Sequence, residues 1–164
     1  MKLELTPIGR IHSPCREVIG TPIQSRWAAG IEGTVELFPE FAPGLRDLDG
    51  FDRIWLLYWL DQARAARLEV VPYLDTQTRG IFATRAPSRP NPLGLSCVRL
   101  LAVEGSLLRV AELDVLDGTP LLDLKPYVPA FDVFTAERVG WYANARDSRM
   151  ADDRFTRGAE NQRT

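Results

Sequence analysis

Short apolar runs broken by proline and glycine set the pattern of this chain, and few of them carry a helical period. Leu3–Ile11 reads as a first strand, after which Ser13-Pro14 turns the chain. Positions 15–30 are loop-like, because Gly20, Pro22 and Gly30 interrupt any periodicity. Gly33–Phe38 alternates and has a β-branched centre, which predicts a strand. FPEFAPGLRDLDG (38–50) predicts a short helix or turn. Phe51–Leu60 (FDRIWLLYWL) is the most apolar stretch, and its length suits a buried strand better than a membrane helix. Residues 61–74 predict one short helix or a loop, and strands follow at Arg79–Thr84, Leu93–Val103, Leu107–Leu116 and Leu121–Tyr127. Between them, APSRPNP (86–92) is a proline-locked loop. DGTP (117–120) is a tight turn in which Asp-Gly supplies the positive φ. The spacing predicts an all-β sandwich or barrel over residues 1–136. An arginine-rich polar tail spans 137–164, with a small helix over 139–146 (VGWYANAR) and then a frayed, irregular end.

Length and composition narrow the function classes. The chain has 164 residues, 45% hydrophobic and 26% charged, enough for one domain with its own core. Twenty basic against 22 acidic residues give a net charge of −2, which excludes a wholly basic nucleic-acid coat but allows a local basic patch. Cys15 and Cys97 are distant and His12 is the only histidine, so neither a disulfide framework nor a transition-metal site is expected. The start lacks an apolar signal region and no run approaches 18 apolar residues, which predicts a soluble cytoplasmic protein. No GxGxxG or GxxxxGK spacing supports a Rossmann or P-loop fold. Only Lys2 and Lys125 are lysines, so arginine supplies nearly all the positive charge. Arginine suits bidentate phosphate and carboxylate contacts, although coding bias gives the same composition.

Candidate chemistry concentrates in two places. Thr76–Val103 holds Arg79, Arg85, Arg89 and Arg99 and no acid. Pro87, Pro90 and Pro92 stiffen this segment, so Arg85, Arg89, Asn91 and Ser96 have little entropy left to lose on binding. That suits an anion or nucleotide site; the alternative is a rigid hairpin whose arginines satisfy their own carbonyls. The second place is AELDVLDGTPLLDLKPYVP, with Glu112, Asp114, Asp117, Asp123, Lys125 and Tyr127. Strand alternation puts Glu112 and Asp114 on one face, and Lys125 and Tyr127 on one face. The carboxylates suit ribose hydroxyls, the basic loop or proton abstraction, or else form a solvated face with Asp117 in the turn. His12 reads as a packing or capping residue, Cys97 as a small buried hydrophobe, and Trp55 with Trp59 as core or dimer interface.

IGRIHSP (8–14), TPIQS (21–25), LRDLDGFDRIWLLYWL (45–60), GIFATRAPSRPNPLGLSCVRL (80–100) and LDVLDGTPLLDLKPYVP (113–129) resemble, in order, the motifs of the TsaA-like family. Its characterised members are the tRNA (adenine(37)-N6)-methyltransferases called TrmO. The resemblance implies an S-adenosylmethionine-dependent β-barrel working as a homodimer, with the cofactor near the subunit interface. It implies methylation of N6-threonylcarbamoyladenosine at position 37 of a tRNA anticodon loop. By position it assigns cofactor binding to Pro22, Ile23, Gln24, Asp61, Gln62, Arg85, Leu95, Leu113, Asp114, Val115 and Leu116. Arg89, Asn91, Asp117, Thr119, Asp123, Lys125 and Tyr127 match further motif positions.

The implied reaction needs a group to take the N6 proton or to stabilise the charge left behind. Candidate bases are Asp117, Asp123, Tyr127 and His12, with an Asp preferred. Arg85 or Arg89 suits the threonyl carboxylate. The catalytic set is therefore Asp117, Arg89, Tyr127 and Lys125. Arg146, Arg149, Arg154 and Arg157 of the tail, with the acid-free strip, are expected to meet the tRNA backbone. Two departures stand out: position 61 is Asp where many relatives carry His, and bacterial members carry a C-terminal extension not seen here. A methyltransferase acting on a small molecule or another nucleoside, and a non-catalytic S-adenosylmethionine-binding module, are the alternative readings.

Overall fold

The computed structural model describes residues 3–156. Eight strands form: β1 (Gly9–His12), β2 (Glu32–Leu37), β3 (Arg53–Trp59), β4 (Glu69–Val70), β5 (Arg79–Gly80), β6 (Leu93–Glu104), β7 (Leu107–Ala111) and β8 (Pro120–Pro126). Alternation explains most of them. In β3, Ile54, Leu56 and Tyr58 are buried while Trp55, Leu57 and Trp59 are half-buried on the other face. Trp55 and Trp59 thus share a face, the outer one. Six strands close into an antiparallel barrel in the order β1-β2-β7-β6-β3-β8, which leaves no free edge. Of the sandwich and barrel alternatives, the barrel is the one that forms. Its interior is mainly aliphatic, with Ile11, Val35, Ile54, Leu56, Val98, Leu108, Val110, Leu113 and Leu121 fully buried.

β4 and β5 make a separate two-stranded ribbon. Beside it Val70, Ile81, Ala86 and Phe155 form a second small core, where Phe155 meets Tyr73 edge-on at 5.0 Å. This cluster ties the ribbon, the proline loop and the C-terminal segment together.

Several expectations need correction. The first strand starts at Gly9 rather than Leu3, and Leu3 and Leu5 are exposed. The strand expected over 79–84 is only two residues long, because Ile81–Ala83 turns into a 3-10 helix. Residues 61–74 hold no helix; β4 forms there instead. The strand expected over 107–116 stops at Ala111, because Glu112 takes a left-handed φ of 63°. The small helix predicted over 139–146 is a 3-10 helix over Gly140–Asn144. The chain from 137 to 156 is not frayed. Pro22 bridges Met150, Ile23 donates to the Arg149 carbonyl, and Phe155 is buried. Arg157 and the remaining tail residues lie outside the described residues. Among the described residues no helix is long and apolar enough to cross a membrane.

Candidate functional site

The site begins with a glycine. β3 and β6 pair in register, so Gly94 lies opposite Tyr58. A Cβ on Gly94 would stand 2.0 Å from the Tyr58 ring; only glycine lets the ring lie there. The Tyr58 hydroxyl shares a hydrogen bond of 2.9 Å with Ser96 Oγ. Burial, with the negative charge of Asp114 nearby, raises the Tyr58 phenol well above its usual range.

Asp114 arrives by an unusual route. Its strand has ended, and the positive φ of Glu112 redirects the chain. Glu112 is tied to Arg53 Nη2 at 2.7 Å, while Asp114 goes to the Tyr58–Ser96 pair. The two acids do not share a face, contrary to the alternation expected. Burial raises the Asp114 carboxyl to about 6; Ser96, backbone groups and the Arg85 charge only partly offset this. Its Oδ1 is shut off from solvent and has no hydrogen-bond partner. A left-handed conformation at a non-glycine residue costs on the order of 1 kcal/mol. E112A is therefore expected to destabilise the protein more than E112G, both losing the ion pair but only alanine keeping the strain. Urea denaturation measures the difference, and the reverse ranking contradicts this account of the β7 exit.

Opposite Asp114 stands the proline loop. Arg85 Nη1 donates to Gln24 Oε1 at 2.6 Å, and Gln24 Nε2 donates to the Ile23 carbonyl at 2.7 Å. Arg89 Nη1 donates to the carbonyls of Ile81 (3.1 Å) and Thr84 (2.8 Å). Arg89 thus satisfies carbonyls of its own loop, while Arg85 spans to another segment.

These pieces surround one cavity of about 1010 Å³. Pro22, Ile23, Gln24, Asp61, Gln62, Arg85, Leu95, Asp114, Val115 and Leu116 all line it. Leu113 does not; it is fully buried in the barrel core and sits under the Gly33 backbone. Of the four residues assigned to catalysis, Arg89 lines the cavity and the others do not. Asp117 accepts from the Ser13 backbone (3.1 Å) and from Arg16 (2.7 Å) at the turn. Lys125 pairs with Asp123 at 2.7 Å, both well exposed. Tyr127 packs its ring against Trp55 at 5.9 Å, one ring away from the lining. His12 pairs with Glu36 at 2.9 Å, away from the cavity. Cys97 is half-buried rather than buried, and it lines the cavity.

Sequence patterning missed the aromatic side of this cavity. Phe82, Trp141, Tyr142 and Phe155 line it, and so does Tyr58. The available signal was the WY pair inside a polar tail. Arg154, expected to meet RNA, instead clamps Asp152 and the Pro72 carbonyl. Among the described residues no group of three His, Cys, Asp or Glu side chains could hold a metal ion.

A closed antiparallel barrel with a roomy, arginine-edged cavity lies outside the Rossmann class and offers a site of small-ligand size. Residues 10–133 match the tRNA-methyltransferase O N-terminal domain, and the chain belongs to this TrmO family. It is 54% identical over 135 residues to a probable S-adenosyl-L-methionine-binding protein of Pyrococcus abyssi, covering 82% of this chain and 73% of that one. It is 32% identical over 154 residues to the tRNA (adenine(37)-N6)-methyltransferase of Escherichia coli K12, covering 88% and 66%. The crystal structure of TrmO from Pseudomonas aeruginosa superposes with a TM-score of 0.72 at 39% identity, over 85% of this chain and 62% of that one. The chain therefore spans less than two thirds of the crystallised TrmO.

Proposed function

We propose that this chain is an S-adenosylmethionine-dependent methyltransferase acting on N6 of threonylcarbamoyladenosine at position 37 of tRNA, as a cytoplasmic homodimer. The observation that carries the reading is Asp114, whose carboxyl keeps an orphaned Oδ1, on the wall of a mixed polar and apolar cavity edged by Arg85 and Gln24. A buried carboxylate with one oxygen left unpartnered favours a cationic or hydrogen-donating ligand beside it. The donor set fits the cofactor, which when bound supplies a methyl group on a positively charged sulfur. Pro22, Ile23 and the Val115–Leu116 wall would cover its apolar parts, and Gln24, held by Arg85, its polar edge. The cavity lies near the upper end of the usual range for small-molecule pockets, about 300–1,000 Å³, which leaves room for an acceptor beside it.

Methyl transfer is an in-line displacement, so holding both reactants in place supplies most of the acceleration. The Arg89 bonds to Ile81 and Thr84 fix the loop that carries Arg85. Asp117, Lys125 and Tyr127 do not face the cavity of their own chain, so a catalytic part for them requires the assembled dimer. Exposed Leu93, Leu95, Phe131 and Phe134 support a dimer.

The test is incubation with methyl-labelled cofactor and total tRNA, followed by digestion to nucleosides. Label in N6-methylated threonylcarbamoyladenosine is expected. Cofactor binding with label only in a small metabolite, or with no transfer, contradicts the proposal in favour of a different substrate or a binding module.

A further inference from the structure

The proline-loop side of the cavity carries an aromatic surface that neither core needs. Phe82 sits between Ile81, which is buried in the second core, and Ala83, whose carbonyl accepts from Trp141 Nε1 at 2.8 Å. The turn is pinned on both sides, yet the Phe82 side chain remains 77% exposed. Holding so much apolar surface in water is unfavourable and calls for an occupant. The Arg89 guanidinium lies over the Phe82 ring at 5.9 Å. A second such pair stands nearby, with Arg79 over Trp141 at 5.9 Å and Tyr142 edge-on to Trp141 at 6.1 Å. Arg79 is itself fixed by Asp75 at 2.8 Å, so this platform is preorganised. Trp141 and Tyr142 lie beyond residue 133, where the family match ends, so this wall is supplied by a segment outside the matched domain.

Flat rings backed by guanidinium groups are what an unpaired nucleobase stacks on, and the acid-free run 76–103 suits a phosphate backbone beside it. Resting on the methyltransferase reading, we propose that Phe82, Trp141 and Tyr142 stack an unpaired base of the RNA loop next to the methyl acceptor. These residues would thereby set acceptor specificity. They act on RNA and not on the cofactor, whose assigned contacts lie at Pro22–Gln24, Arg85 and Asp114–Leu116.

The experiment compares wild type with F82A, Y142A and the ring-preserving F82W and Y142F. It measures cofactor Kd by calorimetry, and kcat and KM on an anticodon stem-loop RNA bearing the modified adenosine. It also measures oligomeric state by light scattering. KM for RNA is expected to rise about tenfold in each alanine variant, with cofactor Kd and kcat within about twofold of wild type, as loss of one base stack implies. F82W and Y142F are expected to restore KM. Unchanged KM in both alanine variants, a parallel loss of cofactor binding, or dissociation of a dimer as the sole effect overturns the stacking proposal alone. A wild-type protein that binds the cofactor but methylates no RNA overturns the function reading and this inference together.

Discussion

D114N is expected to weaken S-adenosylmethionine binding by about 10- to 100-fold at neutral pH, the usual worth of a hydrogen bond to a charged group. At the same time it is expected to raise the thermal stability of the ligand-free protein. Both effects come from one carboxylate. Burial raises the folded-state pKa of Asp114 to about 6, so the ionised form is disfavoured by up to about 3 kcal/mol relative to the unfolded chain. Stability from this group is therefore fully present below the unfolded value of about 4 and is lost as pH rises through about 6. Cofactor affinity runs the other way. A cationic ligand prefers the carboxylate, so binding strengthens as pH rises through about 6 and then levels, with a limiting slope of about tenfold per pH unit below it. D114N removes this pH dependence. Calorimetric titrations and melting curves at a series of pH values check both signs. A wild-type affinity that is flat across that range, or an Asn variant that binds as well as wild type, contradicts the assignment of Asp114.

G94A is expected to destabilise the protein strongly. The added methyl would lie 2.0 Å from Tyr58 Cε2 and 2.4 Å from its Cζ. The ring cannot easily yield, because Tyr58 is buried and its hydroxyl is bonded to Ser96. The backbone cannot yield either without breaking the β3–β6 ladder. A cost of about 3 kcal/mol is expected, lowering Tm by about 10 °C. Cofactor affinity should fall with it, since Tyr58 and Gly94 both line the cavity. In G94A/Y58L, where the ring is gone, part of the lost stability should return relative to Y58L alone. A G94A protein that melts with wild type contradicts the close approach described here.

The barrel is legible in the sequence wherever one face of a strand is buried. β3 and β2 follow their alternation, and Gly118, with a φ of 80°, turns the chain where Asp117-Gly118 predicted it. Patterning fails where tertiary contacts decide. Leu3 and Leu5 look like strand residues but meet no partner strand. Glu112 continues an alternating run but is turned by a backbone conformation that no hydropathy pattern encodes. The cofactor positions came from motif resemblance, and ten of the eleven lie on one cavity. Alternation alone would have paired Asp114 with the wrong neighbour. The tail was unreadable for a related reason. Its polar composition predicts fraying, yet Phe155 and backbone bonds to residues 21–23 hold it against the barrel side.

The most direct measurement is a crystal structure of the protein soaked or grown with S-adenosylhomocysteine. The ligand is expected between the Arg85–Leu95 turn and the Asp114–Leu116 wall, with its positively charged end toward the Asp114 carboxylate. Ligand density elsewhere on the barrel, with that cavity filled only by solvent, would contradict the account.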